Sequence, residues 1–256
     1  MKKQIVFLLL ALFVSSLSCQ FLSPAREGTV IASCSEVVAG MGNLQAIGAP
    51  DYLLETGRKQ GGEFDVNEYF NVLTHVSMQQ GYVLDYVYPI ADLGASPILY
   101  VRPTDQAPYA SMEEIPENTQ LPDFHDYLEV QDVEQGYFEY VVMDLLAGQF
   151  YLFWHSNYND TEIVCNREDV NDIISAVNGG GFGSKMDLVQ QGKARAMTHV
   201  EPSVRLADES AIVEVIMFTK WGGFYRLTYT IDRAFPHTIT ETKDENLVPY
   251  DCGVAF

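Results

Sequence analysis

The sequence predicts an α+β fold made of two duplicated units, each a helix packed on an antiparallel β-sheet, with a Pro-rich insertion in the first. Three observations carry this reading. A helix opening is written twice, as DVNEYFNVL at Asp65–Leu73 and DVNDIISAV at Asp169–Val177. β-like runs follow each copy in succession with few helices between them, which argues against a parallel doubly wound sheet. Further matches keep the same order. QQG at Gln79–Gly81 recurs at Gln190–Gly192, and FEYVVMDLLAGQFYLFW (Phe138–Trp154) parallels VEVIMFTKWGGFYRLTY (Val213–Tyr229). Collinear anchors are the trace that an internal duplication leaves. The expected organisation is a signal peptide at 1–18, a tether at 19–50, a first unit at 51–166 with its insertion near 89–122, and a second unit at 167–256.

The chain opens MKKQIVFLLLALFVSSLSC. Lys2 and Lys3 form a positive region, and Ile5–Val14 is an apolar run too short to anchor stably in a bilayer. This is an export signal. Together with Cys19 it resembles the signal of bacterial lipoproteins, a resemblance confined to these first residues. The pattern has Leu three positions before the Cys, where this chain has Ser16 followed by Leu17. The resemblance implies that Cys19 becomes the lipidated first residue and holds the protein to the outward face of the cell membrane. Several acyl chains make such anchoring stable. Ser16 and Ser18 also suit ordinary signal cleavage, so simple secretion is the alternative. IASC, ending at Cys34, matches the motif better but lies beyond Pro24, Arg26 and Glu27. The Ser/Gly/Ala-rich stretch after Cys19 reads as a tether, with a short ordered piece around Glu36–Met41.

The first helix starts at Asp65 as N-cap with Glu68 as its capping-box partner. Val66, Tyr69, Phe70, Leu73 and Val76 make its apolar stripe, and Gly81 stops it. In the second copy Asp169 and Asp172 take the cap positions, with Val170, Ile173, Ile174 and Val177 as the stripe. GGGFG (Gly179–Gly183) breaks that helix, and Ser184 with Asp187 begins a short one ending at Gln191. The insertion from about Pro89 to Pro122 holds six of the eleven prolines, so much of it reads as ordered loop. ILYVR (Ile98–Arg102) is a strand within it. YVLDYVY (Tyr82–Tyr88) is a strand by its aromatic and β-branched content. YFEYVVMDLL and QFYLFW read as a hairpin about an Ala-Gly turn, closed by TEIVC. AIVEVIMFTKW and FYRLTYTI read as a second hairpin about Gly222-Gly223, followed by TITETK.

Charge narrows the function classes. Removing Lys2 and Lys3 from the 15 basic residues leaves 13 against 35 acidic ones, a net charge of −22. Such a field repels nucleic acid and anionic lipid headgroups. Export permits disulfides, and Cys165 and Cys252 are the expected pair, because both follow β-like runs. The cysteine spacing fits no zinc pattern. No cofactor is implied. GxSxG and HExxH are absent, and GGGFGSK lacks the adjacent Gly-Lys of a phosphate loop.

Candidate site residues come from the aromatics and histidines. Tyr82, Tyr86 and Tyr88 share one strand face, and Trp154 and Trp221 sit at hairpin positions. The bland reading of such residues is core. The sharper one is a helix–sheet groove holding an apolar or sugar ligand, lined by Tyr82, Tyr86, Trp154, His155, Trp221 and His237. His155 and His237 occupy matching loops of the two units, where ordinary turn histidines are the commoner case. His75 reads as structural. The expected function is an envelope-anchored protein of binding or structural-interaction type, whose partner is an apolar ligand or another envelope protein. A carrier of apolar ligand, and a hydrolase using His155 or His237, are the alternatives.

Overall fold

The computed structural model describes residues 28–154, 161–180 and 183–253. In chain order they form β1 (Thr29–Val30), α1 (Cys34–Gln45), α2 (Asp51–Thr56), a 3-10 helix at Val66–Asn71, β2 (Val76–Met78), β3 (Tyr82–Val87), β4 (Ile90–Ala91), β5 (Gly94–Ala95) and β6 (Ile98–Pro103). Two 3-10 turns, Met112–Glu114 and Phe124–Tyr127, precede β7 (Leu128–Val130). Then come α3 (Glu134–Leu146), β8 (Phe153–Trp154), β9 (Glu162–Val164), α4 (Arg167–Gly179), α5 (Leu188–Ala196), β10 (Ser203–Leu206), β11 (Ser210–Thr219), β12 (Gly223–Asp232) and β13 (Ile239–Pro249). The fold is α+β with antiparallel sheets.

The main sheet runs β1-β10-β11-β12-β13, with β9 pairing the second half of β11. Strict alternation along β11 splits its side chains between two cores. Ala211, Val213 and Val215 join the larger core, on the side of α3 and α1. Ile216 and Phe218 join a smaller core with α4 and α5. Helices therefore cover both faces of the sheet. A β2–β7 pair, a β3–β6 pair and a small β4-β5-β8 sheet complete the molecule.

The β11–β12 hairpin forms as the alternation predicts, with a difference at the turn. Thr219 pairs Gly223, so the loop is Lys220–Gly222 and Gly223 opens β12. Gly223 has φ +89°, and a Cβ there would lie 2.0 Å from the Val248 carbonyl oxygen, so only glycine fits.

The predicted hairpin at 138–154 is not formed. Phe138–Leu146 lies in α3, in which every residue from Gly136 to Met143 is buried. A helix buried on all sides shows no polar face, so its continuous apolar run cannot be told from a strand by periodicity.

The sequence matches do not mark a structural repeat. Asp65 caps a 3-10 helix, whereas Asp169 is the third residue of α4, whose cap is Asn166 in a capping box with Asp169. QQG is a turn before β3 in one place and part of α5 in the other. The paired FEYVV and VEVIM runs are helix and strand. The helix expected from Asp65 to Val76 ends at Asn71. The His75 N–H, which a continuing α-helix would give to the Asn71 carbonyl, donates instead to Glu139 Oε2 at 2.6 Å.

The tether expectation is overturned from residue 28 onward. β1 pairs β10, and α1 buries Cys34, Val37 and Met41 at helical spacing. The expected disulfide is corrected too. Cys34 bonds Cys165, and Cys252 is a buried free thiol. Cys165 directly follows β9, and Cys34 opens α1 with its Cα 5.4 Å away. This bond, the β1–β10 pair and the β9–β11 pair all cross the expected boundary at 166/167.

Candidate functional site

A cleft of about 490 Å³ opens between the segment after α2 and the β3–β6 pair. Three local devices build it. Gly57 takes the left-handed conformation (φ +64°) that ends α2 and turns the chain outward. Lys59 N–H donates to the Ala110 carbonyl at 2.8 Å, tying this segment to the strap after β6. Asn67 then lies along the free edge of β3, where its side chain accepts from Leu84 N–H at 3.1 Å and donates to the Leu84 carbonyl at 3.0 Å. The amide substitutes for a missing strand partner, so the 3-10 helix forms the cleft's second wall.

Charged groups meet at the floor. Asp85 is buried. Its Oδ1 accepts from Lys59 Nζ at 2.5 Å and from Tyr86 N–H at 2.8 Å, and its Oδ2 accepts from Arg102 Nε at 2.7 Å. Arg102 stands opposite Val83 in the β3–β6 ladder, one diagonal from Asp85. A buried carboxylate shared by two cations satisfies the rule that buried charge is paired. Lys59 Nζ also lies 4.6 Å over the Tyr86 ring centroid.

Tyr86 is 3 % exposed and packs edge-on against Phe150 at 4.9 Å. Its hydroxyl is buried and has no hydrogen-bond partner among the described residues. Burial raises its pKa, and the negative groups around it, Glu63 and Asp85 among them, push it the same way. The phenol is therefore neutral, a donor without an acceptor.

Glu63 lines the rim. Burial alone would raise its pKa, but the Gln60 N–H, the Tyr52 hydroxyl and the Gly61 N–H hold it below the ordinary carboxylate value. Tyr52, donating to Glu63 at 2.7 Å, has its own pKa pushed up to about 12 by that bond.

Of the ligand-site candidates singled out from sequence, Tyr86 alone among the described residues lines this cleft. Tyr82 packs against Tyr127 with the rings tilted and their centroids 4.6 Å apart. Trp154 is 53 % exposed on the small β4-β5-β8 sheet, and Trp221 lies in the β11–β12 turn. His237 is buried, with Nδ1 3.1 Å from the Asp232 carbonyl and its ring against Tyr137 and Phe235. His155 and Cys19 lie outside the described residues. The structure does not bring the candidate set together, because the hairpin that would have placed Trp154 opposite Trp221 is helix α3. Tyr86, Phe64, Phe150, Tyr69 and Tyr151 instead interlock edge to face and fill the space beneath the cleft.

Lys59, Asp85 and Arg102 were not legible as a site in the sequence. A lone Asp inside YVLDYVY and an Arg closing ILYVR were the available signal, since charges inside apolar strands must find partners.

Further clefts lie elsewhere among the described residues. One of about 600 Å³ runs between α1 and α4 beside the disulfide. Another, of about 470 Å³, is lined in part by His75 and Glu139. Glu139 is 1 % exposed and accepts from His75 N–H, His75 Nδ1 at 2.9 Å and Gln135 Nε2 at 2.8 Å, so its acceptors are filled from within the fold. Among the described residues no cluster of three metal-ligating side chains occurs, and no helix is long and apolar enough to cross a membrane. No protein-family model matches this chain, and no solved structure matches it at a significant level.

Proposed function

We propose that this chain is an exported, envelope-anchored binding protein whose cleft over Asp85 takes a small polar ligand. The single observation that carries the binding reading is the cleft of about 490 Å³ on which the charged groups Lys59, Asp85 and Arg102 converge. The cleft's size and mixed lining, apolar walls with a few converging polar groups, are those of small-molecule sites.

Export and anchoring rest on the N-terminal signal and on cysteine use. A disulfide between Cys34 and Cys165 suits an oxidising compartment. Among the described residues Cys34 and Cys165 are bonded to each other and Cys252 is a buried free thiol, which supports reading Cys19 as the acylated cysteine. Eight residues lie between Cys19 and Gly28, where the described chain begins. Fully extended they reach about 30 Å, so the lipid would hold the cleft close to the membrane surface.

A thermal-shift screen of small polar molecules tests the binding reading, using the mature protein and a Val83→Trp variant that fills the cleft. The expected result is a ligand that raises the melting temperature of the parent and not of the variant. A ligand that stabilises both equally would refute the placement. Intact mass of the chain purified from membranes tests the anchor. The expectation is an acyl excess on Cys19 that disappears in Cys19→Ala, and a bare chain would refute it.

A further inference from the structure

We propose that the small β4-β5-β8 sheet docks on the surface of a zwitterionic lipid bilayer, an inference that takes the envelope location above as its setting and is independent of the cleft. Exposed apolar residues that stand alone are ordinary, but a contiguous group marks an interaction surface. On this one sheet Ile90, Leu93, Phe153 and Trp154 are all exposed, Leu93 to 60 %. Ile98, just beyond β5, is exposed as well. Ile90 pairs Ala95, which pairs Phe153, and Ala91 pairs Gly94, which pairs Trp154. Cross-strand partners share a face, so the register puts Ile90 and Phe153 on one face, Trp154 on the other, and Leu93 at the β4–β5 turn. A sheet with large apolar residues on both faces is a wedge. A rigid protein partner covers one face of a wedge, whereas a fluid lipid layer closes round both. The wedge stands on a fixed base, where the Tyr88 hydroxyl donates to the Tyr151 carbonyl at 2.5 Å and the two rings meet edge to face.

Charge selects the kind of lipid. The chain carries 35 acidic residues, yet residues 86–101 hold one charged side chain, Asp92, and residues 145–154 hold none. Anionic headgroups repel so acidic a protein, and this charge-poor wedge is the part that a net-neutral bilayer admits. Asp92 shares the β4–β5 turn with Leu93 and sets the depth. In hydrocarbon its carboxylate would be costly, whereas at the headgroup level an ethanolamine or choline cation pairs it. β4 and β8 are the open edges of the sheet, and their backbone groups keep the water they need only in that same layer. Tryptophan collects there too, its ring apolar and its N–H able to reach water or headgroup oxygens. The chain outside the described residues fits this placement. From Gly28 it passes through β1 into α1, a helix about 18 Å long, and Gln45 at the far end bonds the Leu146 carbonyl at 2.5 Å, shortly before β8. A tether reaching about 30 Å is longer than that helix, so a lipid on Cys19 leaves the wedge free to meet the same surface.

The test uses the full mature chain with Cys19→Ala, which carries no acyl group, and Trp221→Phe, which leaves Trp154 as the only tryptophan. It is mixed with vesicles of phosphatidylethanolamine and phosphatidylcholine, and binding is read by flotation. The expected result is co-flotation, a blue shift of the Trp154 emission, and stronger quenching by acyl chains brominated near the headgroup than by chains brominated near their ends. Leu93→Ser/Phe153→Ser should weaken binding about tenfold or more with the circular dichroism unchanged, because both side chains are exposed. Adding anionic phosphatidylglycerol should weaken it as well. No flotation, with the Trp154 emission unmoved, overturns the proposal. Tighter binding to the anionic vesicles overturns the zwitterionic assignment. A concentration-dependent dimer that the double variant abolishes, in place of vesicle binding, gives the wedge to a second copy of the chain and overturns the proposal too. The anchor fails or stands separately. A bare Cys19 removes the anchor and leaves flotation of this lipid-free chain untouched, whereas an acylated protein whose Trp154 is not quenched keeps the anchor and loses the wedge.

Discussion

Breaking the Cys34–Cys165 bond in a Cys34→Ala/Cys165→Ala variant is expected to destabilise the fold severely. The bond joins positions 131 residues apart. Constraining an unfolded segment of that length is worth about 5 kcal/mol in the chain-entropy account, at the top of the range found in practice. Both side chains are buried, so Ala also removes packed sulfur, adding to the loss. For a chain of this size each kcal/mol moves the melting temperature by about 2–4 °C, which predicts a fall of about 10–20 °C. Urea unfolding of parent and variant, followed by circular dichroism, measures the change, and Cys252→Ala is the control. Cys252 is buried but unbonded, so its loss should cost only a packing increment of about 1 kcal/mol. A double variant that melts within a few degrees of the parent would refute the reasoning, as would a non-reduced peptide map joining Cys165 to Cys252.

Three further outcomes follow from the same physics. His125 lies between Asp123 (Nδ1–Oδ1 2.7 Å) and Asp144 (Nε2–Oδ1 3.1 Å); burial would lower its pKa, but the two carboxylates outweigh that and raise it. Its contribution to stability is then complete below the unfolded value near 6.5 and is lost as pH rises through the higher folded value. An NMR titration should place the imidazole midpoint above 6.5, and His125→Gln should flatten stability between neutral and mildly alkaline pH. Glu139→Gln keeps the shape of a buried side chain but turns an amide N–H₂ toward donors from His75 and Gln135, so a loss of about 1–3 kcal/mol is expected in chemical denaturation. Gly136→Ala puts a Cβ 2.2 Å from the Gln131 carbonyl oxygen in the first turn of α3, and should cost about 1–3 kcal/mol in the same assay.

How far the sequence reached depends on whether an element shows two different faces. β11 and β12 alternate because one residue in two serves each core, and their hairpin was legible. α4 keeps an exposed side, and its stripe of Val170, Ile173 and Ile174 was legible as well. α3 has no exposed side over most of its length and was misread as strands. α1 carries only three buried positions among small and polar residues, too sparse a stripe to separate from a tether. At the candidate site Tyr86 could be picked out as an aromatic in a strand. Lys59, Asp85 and Arg102 could not, since nothing local says that residues so far apart in the chain share one cleft.

By itself, then, the sequence determined the α+β class, the strands whose alternation records a sheet with two different faces, and the helix of α4 with its apolar stripe. These are local properties, fixed by the period at which side chains must turn toward apolar surroundings. Only the tertiary structure decided that Cys34 rather than Cys252 bonds Cys165, that the repeated DVN opens unlike elements, and that Asp85 is held between Lys59 and Arg102. Each of these depends on which distant segments come to lie side by side. That choice is made by the packing of whole faces against one another and leaves no periodic mark in any one segment.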